Sequence, residues 1–395
     1  MGPVIWYPGY DLQLEDIVRA ENCYLFDGAG NRYVDLESGV WCTPLGHGHP
    51  RILRVLQEQS ARIAHTGFVY GSRIVAESAR EILSLVGLAD GRCAFLCSGS
   101  EAVEYGVRTV QLITARPLLM TMADSYFGAY GSARTRLASE WYSFGWMACA
   151  DCPATRECDA GCPRWRAIPR EMIGGFLFEP GSSSGLVRFP PAKLIRAIVR
   201  FIREDDGLVL VNEVTTGVGR TGKWFGYQHY DLTPDVVALG KGIGNGYPVS
   251  VALLGPRVMQ RLAKQELKYS QSHQNDPLGA AIAREVVHVV QEEGLIERSR
   301  ALGELLAGGL ERIRTRTEGI RAFRARGLMV AIDLADDAEA SRSIRVQREL
   351  LRRGYVLARR PGLSVLRIDP ALTIARDELE GFLSAFEDVL SQVVA

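Results

Sequence analysis

Between Cys93 and Leu254 the chain alternates short apolar runs with helical stretches: "CAFLC", "LLMTMA", "GGFLFE", "GLVLVNE", "DVVALG" and "VSVALL". Runs that are apolar throughout are what strands look like when both faces are covered. Strands alternating with helices need crossover connections, which favour one hand and a mostly parallel sheet. The expectation is an α/β fold. In open sheets of this kind ligands bind beyond the carboxyl ends of the strands. The residues that follow each run are therefore the candidates for chemistry.

The flanks read differently. "CYLFDGAGNRYVDLESGV" predicts two short strands about the turn "DGAGN". "HPRILRVLQEQSARIAH" and "VAESAREILSLVG" carry helical spacing, and "DPLGAAIAREVVHVVQEEG" reads as a long helix leaving the central region. From about Leu302 to Ala395, two long helices surround "GLMVAIDL", with a strand pair near "YVLARR" and "SVLRID". We expect a large domain over residues 66–300. A smaller α+β domain is expected from both termini, with residues 1–65 joining residues 301–395.

Composition sets outer bounds. With 47% hydrophobic and 23% charged residues the chain is globular in character, and 46 basic residues balance 46 acidic ones. No net field calls for nucleic acid or an acidic membrane. No run approaches the ~18 apolar residues of a membrane span. The opening "MGPVIWYPGYDLQLEDIVRA" lacks the order of a secretory leader. A cytoplasmic protein with neither nucleic-acid nor membrane partner is expected.

After "CAFLC" comes "SGSEAVEYGVRTV", where Ser98 and Glu101 have capping-box spacing ahead of a helix. The N–H groups of Gly99 and Ser100 at that positive helix end suit a phosphate. After "LLMTMA" stands the aromatic pair Tyr126-Phe127, after "GGFLF" Glu179, after "GLVLV" Asn212 and Glu213, and after "DVVALG" Lys241. Lys241 lies in "GKGIGNGYP", which lacks P-loop spacing, and no GxGxxG opens a helix after the first strand. A lysine held among small residues is instead placed to form a Schiff base. Phosphate cradle, aromatic shelf, polar strand end and lysine together describe a site for pyridoxal 5'-phosphate.

Four of the eight cysteines crowd into "CADCPATRECDAGC", spaced C-x2-C-x5-C-x3-C at Cys149, Cys152, Cys158 and Cys162. Four thiolates in a short loop can close a zinc site or hold an iron–sulfur cluster. The alternative is reduced thiols on an insertion. Cys23, Cys42, Cys93 and Cys97 read as small buried hydrophobes.

At "YLFDGAGNRYVDLESGVW", "LGHGHP", "SGSEAVE", "FEP", "NEVTTGVGRTG", "PDVVALGKGIGNGYPVS" and "LRIDPALTI" the chain resembles the class III aminotransferases, pyridoxal phosphate enzymes of fold type I. The resemblance spans nearly the whole chain. It implies Lys241 as Schiff-base lysine and proton carrier, and Gly99 and Ser100 on the phosphate. It implies Tyr126 and Val214 on the two ring faces, with Phe127, Glu179 and Asn212 also about the cofactor. Ser272 stands where the family reaches the phosphate of a partner subunit, so a homodimer with shared sites is implied. Trp41 and Arg367 fall at the substrate, Arg367 suited to a carboxylate.

Three departures from the family pattern matter. Asn212 replaces the usual Asp at the ring nitrogen. It can donate to a neutral nitrogen or accept from a protonated one, and His229 or a water could supply what it lacks. Ser184 stands where ornithine-type relatives carry an acidic shield, so Arg367 is expected without one. Phe127 replaces the histidine of "YHG". The resemblance implies transamination between an amino acid or amine and a 2-oxo acid. Asn212 keeps open a pyridoxal phosphate-dependent racemase, epimerase, or β/γ-elimination-replacement enzyme. A non-catalytic scaffold is opposed by Lys241.

Overall fold

The computed structural model describes residues 3–6, 12–67, 69–153, 158–159, 161–335 and 341–394. Its centre is a seven-stranded sheet of β4 (Arg92–Leu96), β5 (Leu118–Met122), β6 (Trp141–Phe144), β7 (Ile173–Phe178), β8 (Leu208–Asn212), β9 (Val236–Leu239) and β10 (Ser250–Leu254). The spatial order is β4-β10-β9-β8-β7-β5-β6. Every pairing from β9 to β6 is parallel, and β10 runs antiparallel to both β4 and β9. Strands β5 and β7 to β10 are buried at every position. Their unbroken apolar character follows from helices on both faces. The helix Gly99–Ile113 packs on β9 and β10, and the helix Ala192–Glu204 packs on β7 and β8. The edge strand β6, "WYSF", is four residues long with two of its side chains buried.

The N-terminal β1 (Ile17–Glu21), β2 (Tyr24–Asp27) and β3 (Arg32–Asp35) form an antiparallel set, which β13 (Tyr355–Val356) completes by pairing parallel to β3. The remaining sheet orders β11 (Ile320–Arg326), β12 (Met329–Leu334), β15 (Val365–Ile368) and β14 (Ala358–Arg359), all antiparallel. The helices Leu295–Arg316 and Ser341–Arg352 pack beside it, and Arg376–Val394 packs on both of them.

Buried Arg220 ties these parts together. Its guanidinium donates to the carbonyls of Leu328 (3.0 Å) and Pro370 and to Ser38 Oγ (3.2 Å). Burial lowers its pKa to about 10, against the pull of Asp369 and Asp35. No described helix is long and apolar enough to cross a membrane.

Candidate active site

The carboxyl ends of β4, β5, β8 and β9 open onto one cavity of about 360 Å3. At its first wall, Ser98 Oγ accepts the N–H of Glu101 at 3.3 Å. Glu101 Oε2 accepts the N–H groups of Cys97 (2.7 Å) and Ser98 (2.9 Å). This reciprocal box uses three donors and leaves those of Gly99 and Ser100 outside it, at the positive end of a fifteen-residue helix. Both residues line the cavity. A Cβ on Gly99 would stand 2.6 Å from Val214 Cγ1, so glycine is what lets the cradle and the Val214 wall close together. Ser100 Oγ accepts from the N–H of Ala129 at 3.0 Å, fixing the cradle to the loop after β5.

That loop supplies the shelf. The N–H of Tyr126 donates to Glu179 Oε2 at 2.9 Å, and its carbonyl accepts from Asn212 Nδ2 at 3.1 Å. Glu179 also accepts the N–H of Ser183 at 3.1 Å, and it is fully buried. Burial pushes its carboxyl up to about 8. Glu179 does not line the cavity. It holds the main chain of Tyr126 through that N–H. Phe127 lines the cavity as a core residue, with the Arg136 guanidinium 5.8 Å from its ring centre.

Asn212 ends β8 and is 3% exposed. Its Oδ1 accepts the N–H of Val214 at 3.1 Å while Nδ2 holds the Tyr126 carbonyl. One lone pair of Oδ1 and one amide hydrogen are engaged, which leaves a second lone pair and a second N–H. Both roles open in the sequence, donor and acceptor, remain available to it. His229 does not supply a charge. Its Nε2 lies 3.2 Å from the carbonyl and hydroxyl of Thr221, and it is not among the cavity residues. Burial, with Arg326 and Lys223 nearby, lowers its pKa to about 4.

Glu213 turns away from the cavity. It accepts from the N–H groups of Gly226 and Tyr227 and from Thr216 Oγ1, each at 2.8 Å. It staples the loop that follows β8, and burial raises its carboxyl to about 7.

Lys241 follows β9 at a backbone φ of +46°, a left-handed conformation unusual for a side-chain-bearing residue. Its Nζ donates to the Val40 carbonyl at 3.4 Å and stands 5.3 Å from the centre of the Trp41 ring. Burial lowers its pKa, and the Arg367 guanidinium adds to that; Cys42, Glu179 and Asp369 oppose it. A desolvated amine is more readily a free nucleophile.

Trp41 and Arg367 stand beside Lys241 but do not line the cavity. The Arg367 guanidinium lies 3.9 Å from the Trp41 ring centre, its Nε 3.3 Å from Asp369 Oδ2 and its Nη2 3.8 Å from Glu37 Oε1. Ser184 carries no charge, but two other carboxylates already face the guanidinium. Ser272 is exposed in the stretch before the helix Pro277–Glu292 and does not line this cavity. The four clustered cysteines lie around a different one.

Residues that sequence reasoning passed over also line the site, among them Cys42, Ser183, Thr215 and Tyr247. The Thr215 hydroxyl is buried without a hydrogen-bond partner. Its signal was its place two residues after Glu213, inside "NEVTTGVGRTG". An orphaned hydroxyl, a glycine-built anion cradle, an aromatic shelf and a desolvated lysine around one cavity fit pyridoxal 5'-phosphate. Fold and site together define a pyridoxal phosphate enzyme of fold type I.

Comparison with known proteins narrows this. The profile of the family described as aminotransferase class-III matches residues 7–139 and 155–390. The chain belongs to the class III aminotransferase family, and its cofactor is pyridoxal 5'-phosphate. It is 29% identical to an acetylornithine aminotransferase of Nitrosomonas europaea, over 92% of this chain and 91% of that protein. It is 27% identical to a leucine/methionine racemase of Thermococcus litoralis, over 95% of this chain and 90% of that protein. Its fold matches an S-selective transaminase from an Arthrobacter species with a TM-score of 0.88 at 21% identity, covering 99% and 96% of the two chains. A Bacillus anthracis aminotransferase also gives 0.88, at 23% identity, covering 98% and 96%.

Proposed function

We propose that this chain works as a cytoplasmic homodimer that moves an amino group between an amine or amino acid and a 2-oxo acid, with Lys241 as the covalent anchor and proton carrier. The observation that carries the reading is the placement of the Lys241 amine on the same cavity as the Gly99–Ser100 cradle and the Asn212 amide. When bound, the cofactor supplies the electron sink that lets a proton leave the carbon bearing the amino group. Gly99 and Ser100 would hold its phosphate, Tyr126 and Val214 its two faces, and Asn212 its ring nitrogen. Ser272, exposed here, would complete the cradle of the partner subunit.

Substrate choice turns on Arg367. Its charge is matched by Asp369 and Glu37, so a substrate carboxylate must displace Glu37 to reach it. Glu37 lies at 3.8 Å, the looser of the two contacts, whereas Asp369 is fully buried. Amines with no carboxylate at this end meet no such demand. We assign Trp41 the role of a platform for the guanidinium, not of a wall against the substrate.

A racemase reading has a specific observation behind it. Asn212 offers an N–H where a carboxylate would hold the ring nitrogen charged, and a racemase stands among the relatives. One experiment separates the two. The purified protein is mixed with single enantiomers of candidate amino acids and amines. Loss of the cofactor's visible absorbance with stoichiometric oxo-product supports transamination. Inversion of the substrate with no oxo-product would refute it in favour of racemisation.

A further inference from the structure

The site described above makes no use of Cys149, Cys152, Cys158 and Cys162. The structure brings all four to the wall of a second cavity of about 300 Å3. This cavity sits between the end of β6, at Phe144, and the start of the helix Ala192–Glu204, at Lys193 and Leu194. None of the four is in a disulfide; Cys152 is exposed and the other three are half-buried. The residues 154–157 and 160 between them lie outside the described residues.

Several independent observations concern this loop. The family profile stops at residue 139 and resumes at residue 155, so Cys149 and Cys152 fall in a stretch the family does not account for. The loop's described residues include the short helical turns Met147–Cys149 and Pro163–Arg166, and both ends are anchored. Trp146 Nε1 donates to Asp124 Oδ1 at 2.6 Å, and the carbonyl of Trp146 accepts from the N–H of Cys149 at 2.7 Å. At the other end Trp165 packs edge-on against Phe201 with ring centres 5.6 Å apart. Arg164 and Lys193 line the cavity, so positive charge is at hand for four thiolates.

The spacing of the thiols selects among ligands. Tetrahedral zinc with Zn–S near 2.3 Å sets sulfur–sulfur distances of about 3.8 Å. Among the described residues, the group of three or more ligands drawn within 4.8 Å of one another is His65, His273 and Asp276, and no three of these thiols are that close. Thiols that share one roomy cavity but stand wider than a single ion requires suit a cage whose corners each take one cysteine. We infer that Cys149, Cys152, Cys158 and Cys162 bind a [4Fe–4S] cluster beside the β6 edge, apart from the pyridoxal phosphate cavity.

The test uses the full chain purified without air or chelator. The expected result is about four irons and four acid-labile sulfides per chain, with a low-temperature paramagnetic resonance signal after dithionite reduction. Cys158→Ser should lose most of the iron. Should that variant fail to fold, judged by circular dichroism, the wild-type protein carries the test instead. Stripped of metal by chelation and supplied anaerobically with ferrous iron and sulfide, it should regain the same stoichiometry and signal. One zinc without sulfide would overturn the inference. So would no metal before and after reconstitution, or full iron in a folded Cys158→Ser protein.

Discussion

Replacing Asn212 by Asp changes one atom and two interactions. The carboxylate keeps the bond to the Val214 N–H but loses the donor that holds the Tyr126 carbonyl, placing one oxygen against another across 3.1 Å. An unsatisfied buried acceptor costs about 1–3 kcal/mol, which should appear as a lower Tm. Against this, a carboxylate ~4 Å from the ring nitrogen gains about 4 kcal/mol at an effective dielectric near 20. That is roughly three pKa units. The gain exceeds the loss, so Asn212→Asp should raise the proton affinity of the ring nitrogen by about three pKa units. The assay is a pH titration of the bound cofactor's absorbance, with the nitrogen-15 shift of labelled cofactor as an independent readout. The variant should also convert amino donor to oxo-product faster relative to any racemisation. An unchanged titration and an unchanged nitrogen shift would refute the placement of Asn212 against the ring nitrogen.

Lys241→Ala should abolish the borohydride-fixed attachment of cofactor; mass spectrometry finding the adduct intact on another lysine would sink the assignment. Arg367→Ala should weaken carboxylate-bearing substrates by more than ~2 kcal/mol and spare simple amines, whereas Glu37→Gln should tighten the former by up to about tenfold. Equal losses for both substrate kinds in Arg367→Ala, measured as kcat/KM, would make that residue only the partner of Asp369. Glu213→Gln leaves one acceptor oxygen for three donors and should cost about 1–3 kcal/mol in denaturant unfolding. Burial pushes the carboxyls of Glu213 and Glu179 up to about 7 and about 8, above the ordinary glutamate value of 4.5. Between those values the folded state binds more protons than the unfolded state, so stability falls as pH rises through this window. Glu213→Gln should flatten that slope between pH 5 and 8, and an unaltered slope would show that Glu213 does not titrate there.

The sequence displayed the central sheet because its strands are covered on both faces and cannot alternate. The same logic hid β6 and β11. "WYSF" is a short edge strand, and in "IRAFRAR" the arginines break the apolar run although every residue from Ala322 onward is at least half-buried. The cradle was legible because its capping box is local. The role of Asn212 was not, since its amide is oriented by the carbonyl of Tyr126 in the loop after another strand. The shielding of Arg367 divides the same way. Asp369 lies two residues further along the chain and could have been read as a same-face neighbour. Glu37 comes from the opposite end of the chain, and only the fold brings it there.

The parallel pairing of β3 with β13 has a consequence for how the protein is made. The N–H of Val34 donates to the carbonyl of Gly354 at 2.7 Å and that of Leu36 to the carbonyl of Val356 at 2.8 Å, so early residues wait for partners made much later. At 5–20 residues per second a ribosome needs roughly 15–60 s to deliver those partners. Through that interval β3 waits with an open edge. Closing so long a loop comes late and slowly. The central sheet can assemble while the chain is still growing, but Arg367 and Asp369 reach the lysine only with the C-terminal strands. The interval before those strands arrive is when this protein most needs protection from pairing with a neighbour's edge.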